Sequence, residues 1–514
     1  MAASSSTTTL TPPDGLATDR SRNRSFILSA LVCGLLFALP FLSVTIPPIT
    51  DLPQQLAQIR LLGEAFGSDD ETYRIQAWHP NKLGYLPLGL AWLVASPLAA
   101  GRLGLLMIGW LWIVAIHGLA WSTGRSTAAA ALACLFFFSH LTYWGLLNAL
   151  IGLPMFAAWF VLLDRLEPRS AGWRKGLPLT VVACLLYSAH VLWLAVGLLW
   201  LVVSGLLARL PIRALAWRLA WASPPLLAVA IWYPRLQRSG FVSETTWGRS
   251  PLGRLHPEWW LNSALGGLEG RVELILGLAV VFWLALGLLT LRSDTAEGKA
   301  SSPPSIHRGL LAAGLLFVTL ALCLPAVIQN TIFFASRWLP AGVVFLVLAC
   351  PPPRRPNLVR SAVPYLLLTT LALATTTTWI DFESEDLHGL HESVAAVPPG
   401  GRILGLDFGR TSERIKGFPF YLLYAYAQVL HGGEVARSFA NLGSSLVVFR
   451  DLPREFPWTD ALDWRAQRVR RSDIEHFQHV LVFGGPERHA PFLADERLTP
   501  VTRDRPWRLY RVGP

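Results

Sequence analysis

Apolar stretches of about 20 residues recur along this 514-residue chain, and no other feature of it constrains the fold as strongly. They run at roughly 26–47, 103–122, 127–144, 146–164, 214–234, 271–291, 309–328, 332–350 and 358–380. About 20 apolar residues in helical form cross the hydrocarbon core of a bilayer. Inside that core the backbone must satisfy its own hydrogen bonds, so each stretch is expected to be helical. Only 15% of residues are charged and 53% are hydrophobic, where a soluble domain carries about 25% charged residues. The chain therefore reads as mainly α, a polytopic transmembrane helical bundle. An ordinary cytosolic enzyme and a disordered chain are both excluded.

The formal net charge is +11. Residues 1–380 hold 27 Lys and Arg against 15 Asp and Glu, whereas residues 381–514 hold 17 against 18. The basic excess thus travels with the apolar stretches, as expected of short cytoplasmic loops. A nucleic-acid partner would need a basic face on a soluble module, and the polar tail is close to neutral.

Charge placement also suggests an orientation. Arg20, Arg22 and Arg24 precede the first apolar run, which has no cleavage pattern, so residues 1–25 are expected to be a disordered cytoplasmic segment before an uncleaved span. The stretch 85–100 is short and contains Pro87 and Pro97. If it is a half-helix that does not cross, and if 177–208 splits near His190, every short basic loop falls on one side. That gives about eleven spans plus a half-helix. The region 26–380 is then the transmembrane domain, with external loops 48–84 and 235–270. Residues 381–514 form an extracytoplasmic α/β domain. Its expected strands are 402–407, 445–449 and 479–483, with a helix at 418–431 and a hairpin of 498–503 with 507–511. The protein is expected in a bacterial-type inner or plasma membrane.

The cysteines (Cys33, Cys134, Cys184, Cys323, Cys350) lie in or beside apolar runs without a CxxC spacing, so they read as small buried hydrophobes. Chemistry is expected elsewhere. Asp51 follows the first span in Ile-Thr-Asp-Leu-Pro. A carboxylate at the hydrocarbon boundary loses hydration and gains basicity, which suits a general base; the same position also fits a helix N-cap. His79 and His190 are ionisable groups at membrane depth, either ligand-binding or interfacial. Asn148 sits at a helix break, as a binding group or a cap. Arg337, about six residues into the 332–350 stretch, is expected roughly 9 Å deep, where it either snorkels to the surface or faces a partner such as a phosphate or carboxylate. Asp69-Asp70-Glu71 reads as solvated loop charge or as ligands for a divalent cation, which leaves cofactor use open.

The arrangement resembles the GT-C superfamily of polytopic membrane glycosyltransferases, which use polyprenyl-phosphate-linked sugars. The residues that carry the resemblance are Asp51 in TDLPQQLAQI within a long first external loop, the Gly/Asn-marked break WGLLNALIGLP at 144–154, and HGGEVARSFA in the tail. The acidic doublet or DxD that many members place after the first span is absent. The resemblance implies inverting transfer of a hexosyl or pentosyl group from a polyprenyl phosphate or diphosphate to a glycan, lipid or protein acceptor at the outer face. Asp51 would be catalytic, and His79, Asn148, His190 and Arg337 would bind substrate. Two alternatives stay open: a transporter or flippase for a lipid-linked or small polar substrate, and a non-catalytic scaffold. Convergence of Asp51 and Arg337 on one cavity would favour transfer.

Overall fold

A computed structural model describes residues 14–67, 72–167, 172–238, 244–297, 305–329, 331–351, 358–452, 455–502 and 505–513. The acidic run 69–71 and the N-terminal residues 1–13 lie outside this set, as do Arg354 and Arg355 and residues 503–504 of the expected hairpin.

The chain opens with α1 (Asp14–Ser43), α2 (Leu52–Gly67), α3 (Tyr85–Trp92) and α4 (Pro97–Ser122). Next come α5 (Thr127–Cys134), α6 (His140–Trp144), α7 (Leu147–Arg165), α8 (Trp173–Ala189) and α9 (Val191–Leu207). The middle of the chain holds α10 (Ile212–Ala222), α11 (Pro224–Arg238), α12 (Pro257–Ala264), α13 (Val272–Glu297), α14 (Arg308–Cys323), α15 (Leu339–Ala349) and α16 (Leu358–Asp381). Among the described residues six helical segments are long and apolar enough to cross a membrane, or seven if the pair α10–α11, bent by 52°, counts as one span. Val191–Leu207, Arg308–Cys323 and Ser336–Ala349 are shorter apolar helices. This is a multi-pass helical membrane architecture.

Two breaks follow directly from the sequence. Pro97 disfavours a helical residue before it, and Ser96 is extended at ψ 155°. The stretch 85–100 is therefore divided, leaving α3 as an 8-residue helix about 12 Å long. The stretch 177–208 parts at His190, which is extended and ends α8 as it starts α9. Cys33 and Cys134 are buried, but Cys184 and Cys323 are exposed; small apolar groups are tolerated on a lipid-facing helix surface as readily as inside it.

Tail helices α17 (Leu390–Ala395), α18 (Ala425–His431), α19 (Arg471–Ile474) and α20 (Pro486–Leu493) accompany most of the strands. In chain order the strands are β1 (Tyr73–Ile75), β2 (Thr245–Thr246), β3 (Val327–Ile328), β4 (Arg402–Asp407), β5 (Glu434–Val435), β6 (Val447–Phe449), β7 (His479–Phe483), β8 (Leu498–Pro500) and β9 (Trp507–Val512). A five-stranded sheet has the order β5-β4-β7-β9-β8. In it β4 is parallel to β5 and β7, and β9 is antiparallel to β7 and β8. The helix expected at 418–431 begins only at Ala425, because Leu422 has φ +71°, outside the helical region. The strand expected at 445–449 does not join this sheet. As β6 it pairs antiparallel with β1 from the first loop, Arg74 facing Val448.

The tail is sewn onto α2 by buried glutamines. Gln54 Nε2 donates to Arg437 O (2.7 Å), and Gln54 Oε1 accepts from Phe439 N (2.9 Å). One turn later, Gln58 Oε1 accepts from Val447 N (2.8 Å). Gln54 and Gln58 are both fully buried, so the first two turns of α2 lie inside the molecule. One apolar core runs continuously from the spanning helices into Tyr421, Tyr424 and Leu509 of the tail.

Candidate active site

The turn carrying Asp51 is fixed by the break between α6 and α7. Gly145 ends α6 in the left-handed region, at φ +86° and ψ 29°. Its carbonyl accepts from Gln55 Nε2 at 2.6 Å. The preceding carbonyls of Tyr143 and Trp144 accept from Thr50 N and Asp51 N, each at 3.0 Å. A Cβ on Gly145 would stand 3.0 Å from Asp51 Cβ and 3.1 Å from Asp51 N. Glycine is required here twice over, by the positive φ and by the closeness of the Asp51 turn.

A cavity of about 210 Å³ opens beside this turn. Asp51, Asn148, His190 and Arg337 all line it, although they come from four separate segments. Tyr85 and Asn81 of the first loop also face it, and Ser444 and Ser445 of the tail close another side. Among the described residues no hydrogen bond reaches the Asp51 carboxylate. Burial pushes its pKa up to about 8, and the Arg437 charge only partly opposes this. The same burial, with the Asp51 charge nearby, raises the Tyr85 hydroxyl above its ordinary value. Asp51 is therefore proton-bearing at neutral pH and becomes a strong carboxylate base above it.

Arg337 is placed differently from the sequence expectation. Residues 331–335 form turns, with Phe333 at φ +54°, and Arg337 sits in a 3₁₀ turn (Ser336–Trp338) at the start of α15. It is thus at the mouth of an apolar helix, not two turns inside one. The side chain is buried at 6% exposure. Its guanidinium donates to Phe333 O (3.3 Å) and Ile332 O.

The His190–Arg337 pair is informative. His190 Nδ1 accepts from Leu192 N at 3.1 Å, so the ring proton is on Nε2. Nε2 lies 3.5 Å from Arg337 Nη1. Arginine has no acceptor atom, so both facing atoms are donors and cannot satisfy each other. Two convergent donors in a buried cavity call for one shared acceptor, an anionic oxygen.

The remaining two residues have other tasks. Asn148 lines the cavity, but its amide is engaged: Oδ1 accepts from Gly84 N (2.9 Å) and Nδ2 donates to Asn81 O (3.0 Å). It clamps α7 to the turn before α3. His79 does not face this cavity. It lines a separate one of about 350 Å³ with Arg74, Trp78, Trp232 and Arg235. Only Pro80 separates His79 from Asn81, and that is enough to place them on different cavities.

Two larger chambers adjoin the site. One, about 500 Å³, lies in the tail between Arg437, Ser438, Trp458, Asp460 and Asp463, and shares Leu442 with the central cavity. There Arg437 Nε pairs with Asp463 (3.2 Å), which also accepts from Tyr421 Oη (2.6 Å). The other, about 410 Å³ and mostly apolar, is lined by Trp144, Trp259, Phe333 and Trp464 and shares Ile332. Sequence reading missed Arg437 and the serines at 444–445; the available signal was the HGGEVARSFA segment, which holds Arg437. Among the described residues no group of three or more His, Cys, Asp or Glu is placed to hold a metal ion.

One solved structure can be set beside this geometry. The chain is similar to ArnT. The match is to the crystal structure of ArnT from Cupriavidus metallidurans bound to undecaprenyl phosphate, at 13% identity and a TM-score of 0.46, covering 98% of this chain and 100% of that one. No family model matches the chain, and no curated protein does. At this level of likeness no residue is carried over from ArnT, and the site rests on its own geometry.

Proposed function

We propose that the protein is an inverting glycosyltransferase that moves a sugar from a polyprenyl phosphate or diphosphate to an acceptor hydroxyl at the outer face of the membrane. One observation carries the reading: a basic carboxylate shares the walls of one cavity with two facing donors that cannot satisfy each other, Arg337 Nη1 and His190 Nε2.

In this reading Asp51 removes the proton from the acceptor hydroxyl as the oxygen attacks the anomeric carbon. The C–O bond to the phosphate breaks on the opposite face, and the phosphate leaves with the electron pair. Arg337 and His190 Nε2–H meet the charge that builds on the departing phosphate. Because a phosphate leaves readily, the second carboxylic acid required in glycoside hydrolysis has no task. The apolar chamber past Ile332 suits the prenyl chain. The polar chamber past Leu442, with Trp458 and its carboxylates, suits a hydroxylated acceptor.

The test is transfer by the purified chain from a panel of prenyl-phosphate sugars, with and without divalent cation, comparing wild type with Asp51→Asn. Removal of a general base costs about 10²–10⁴-fold. Wild-type turnover by a folded Asp51→Asn protein rules out the base assignment. Movement of an intact lipid-linked sugar across vesicles, with no transfer, replaces the reading with transport.

A further inference from the structure

The cavity that holds His79 is separate from the transfer cavity, and its composition differs in kind. Arg74 comes from β1, Arg235 and Trp232 from α11, and Gln76, Trp78 and His79 from the loop between β1 and α3. Gly443 and Leu452 of the tail close it. No carboxylate lines it, and neither arginine has an ion-pair partner among the described residues; Arg235 only lies over the Trp78 ring, 5.2 Å from its centroid.

Its buried polar atoms are also unspent. His79, Gln76 and Trp232 are each more than nine-tenths buried, yet among the described residues His79 Nδ1, Gln76 Oε1 and Trp232 Nε1 have no hydrogen-bond partner. A native structure leaves few such groups, and each one needs an account. Three such side chains line one cavity together with two guanidinium groups that have no ion-pair partner among the described residues.

We propose that this cavity binds the headgroup of an anionic, hydroxyl-bearing phospholipid. Arg74, Arg235 and Trp232 Nε1 donate to the phosphate oxygens. Gln76 Oε1 and His79 Nδ1 accept from headgroup hydroxyls. This requires His79 to be neutral, and burial together with the charges of Lys82, Arg235 and Arg74 holds it down to about 4. The site is a lipid site because of its place. It lies at the end of an apolar, bent helix pair, with Trp78 48% exposed beside the guanidinium groups. Aromatic and basic residues gather at that level of a bilayer, and basic pockets beside spanning helices hold acidic headgroups. The volume also suits a headgroup.

The inference stands apart from the transfer reading. The full-length protein is placed in nanodiscs of phosphatidylcholine with a minor share of phosphatidylglycerol, and retained lipid is counted by native mass spectrometry. Wild type is expected to retain phosphatidylglycerol selectively. Arg74→Gln/Arg235→Gln should lower that retention at least about ten-fold, since two charge-assisted contacts are lost. Trp232→Phe, which keeps the ring and loses one donor, should weaken it less. Asp51→Asn should not change it, so this result and the transfer assay fail independently. Equal retention by wild type and the double variant overturns the proposal, as does no preference over phosphatidylcholine. Displacement of the lipid by micromolar inorganic phosphate overturns the lipid source.

Discussion

Two cavities lie side by side where the first loop meets the tail, lined by neighbouring residues of the same two segments. Asn81 and Ser444 face one; His79 and Gly443 face the other. They differ in charge pattern. The Asp51 cavity sets a carboxylate of raised basicity in the same space as a guanidinium, and the His79 cavity is lined by cations and neutral polar groups with no carboxylate among the described residues. A base and a cation kept apart in one space are arranged for a reaction in which a proton leaves one side and negative charge appears at the other. Like charges in one space are arranged to hold an anion. Burial can make a side chain chemically useful only when the partner it faces differs from it.

The largest effects should separate the two cavities cleanly. Asp51→Asn should cut transfer by about 10²–10⁴-fold and leave phosphatidylglycerol retention untouched. A variant that lost both would show that the cavities are one site. Next comes Arg337→Gln, expected to lower kcat by about 10²–10³-fold, the cost of losing one donor to developing charge. Arg337→Lys should recover only part of that loss, because an ammonium is a point charge and cannot reproduce the guanidinium fork. Because the same guanidinium holds Ile332 and Phe333 in their turn, thermal unfolding should be followed beside kcat. A drop in kcat with no change in stability supports a role at the phosphate; a matched drop in both reduces Arg337 to a brace.

Much of this was legible before any coordinates. The apolar runs foretold the spanning helices because hydrocarbon leaves the backbone no alternative. The division of 177–208 at His190, the short α3 and the strands at 402–407 and 479–483 all follow from local residue chemistry. The less legible parts depend on long-range contact. Nothing near Gln54 and Gln58 in the chain says that they cap the backbone of Arg437, Phe439 and Val447, nearly 390 residues away. The strand at 447–449 was visible, but its partner β1 was not. Arg337 reads as lying inside a helix because Thr331–Ala335 is apolar enough to read as helical, while Phe333 at positive φ turns that stretch into a loop. His79 was grouped with Asp51 because both belong to one loop, and a loop with two buried sides serves two cavities.

Acidity gives a finer contrast. With Asp51 at about 8, only its deprotonated fraction can act as base. kcat/KM should therefore rise about ten-fold per pH unit below 8 and level off above it. Stability should move the opposite way. The folded state keeps the Asp51 proton up to about pH 8, whereas the unfolded chain releases it near 4. Between those values the folded state binds more protons, so this group's contribution to stability falls as pH rises. Asp51→Asn should remove that slope and be no less stable than wild type at neutral pH, as thermal unfolding across the range would show. A wild-type rate profile that is flat from pH 6 to 9 would place the proton transfer on another group.

The smallest effect should come from the residue that serves the shared wall. Asn148 ties Asn81 O and Gly84 N with one amide, and this turn carries Asn81 toward one cavity and follows His79 of the other. Asn148→Ala leaves two backbone groups short of partners in a half-buried place, at a cost of about 1–3 kcal/mol each when fully desolvated and less where water reaches them. Unfolding by denaturant should show a shift of that order. Transfer should fall only a few-fold, and phosphatidylglycerol retention should weaken in parallel, because one loosened turn feeds both cavities. Asn148→Asp keeps the acceptor for Gly84 N and loses the donor to Asn81 O, so it should fall between wild type and Asn148→Ala. If Asn148→Ala instead abolished transfer with stability and lipid retention unchanged, its amide would belong to the substrate and not to the wall.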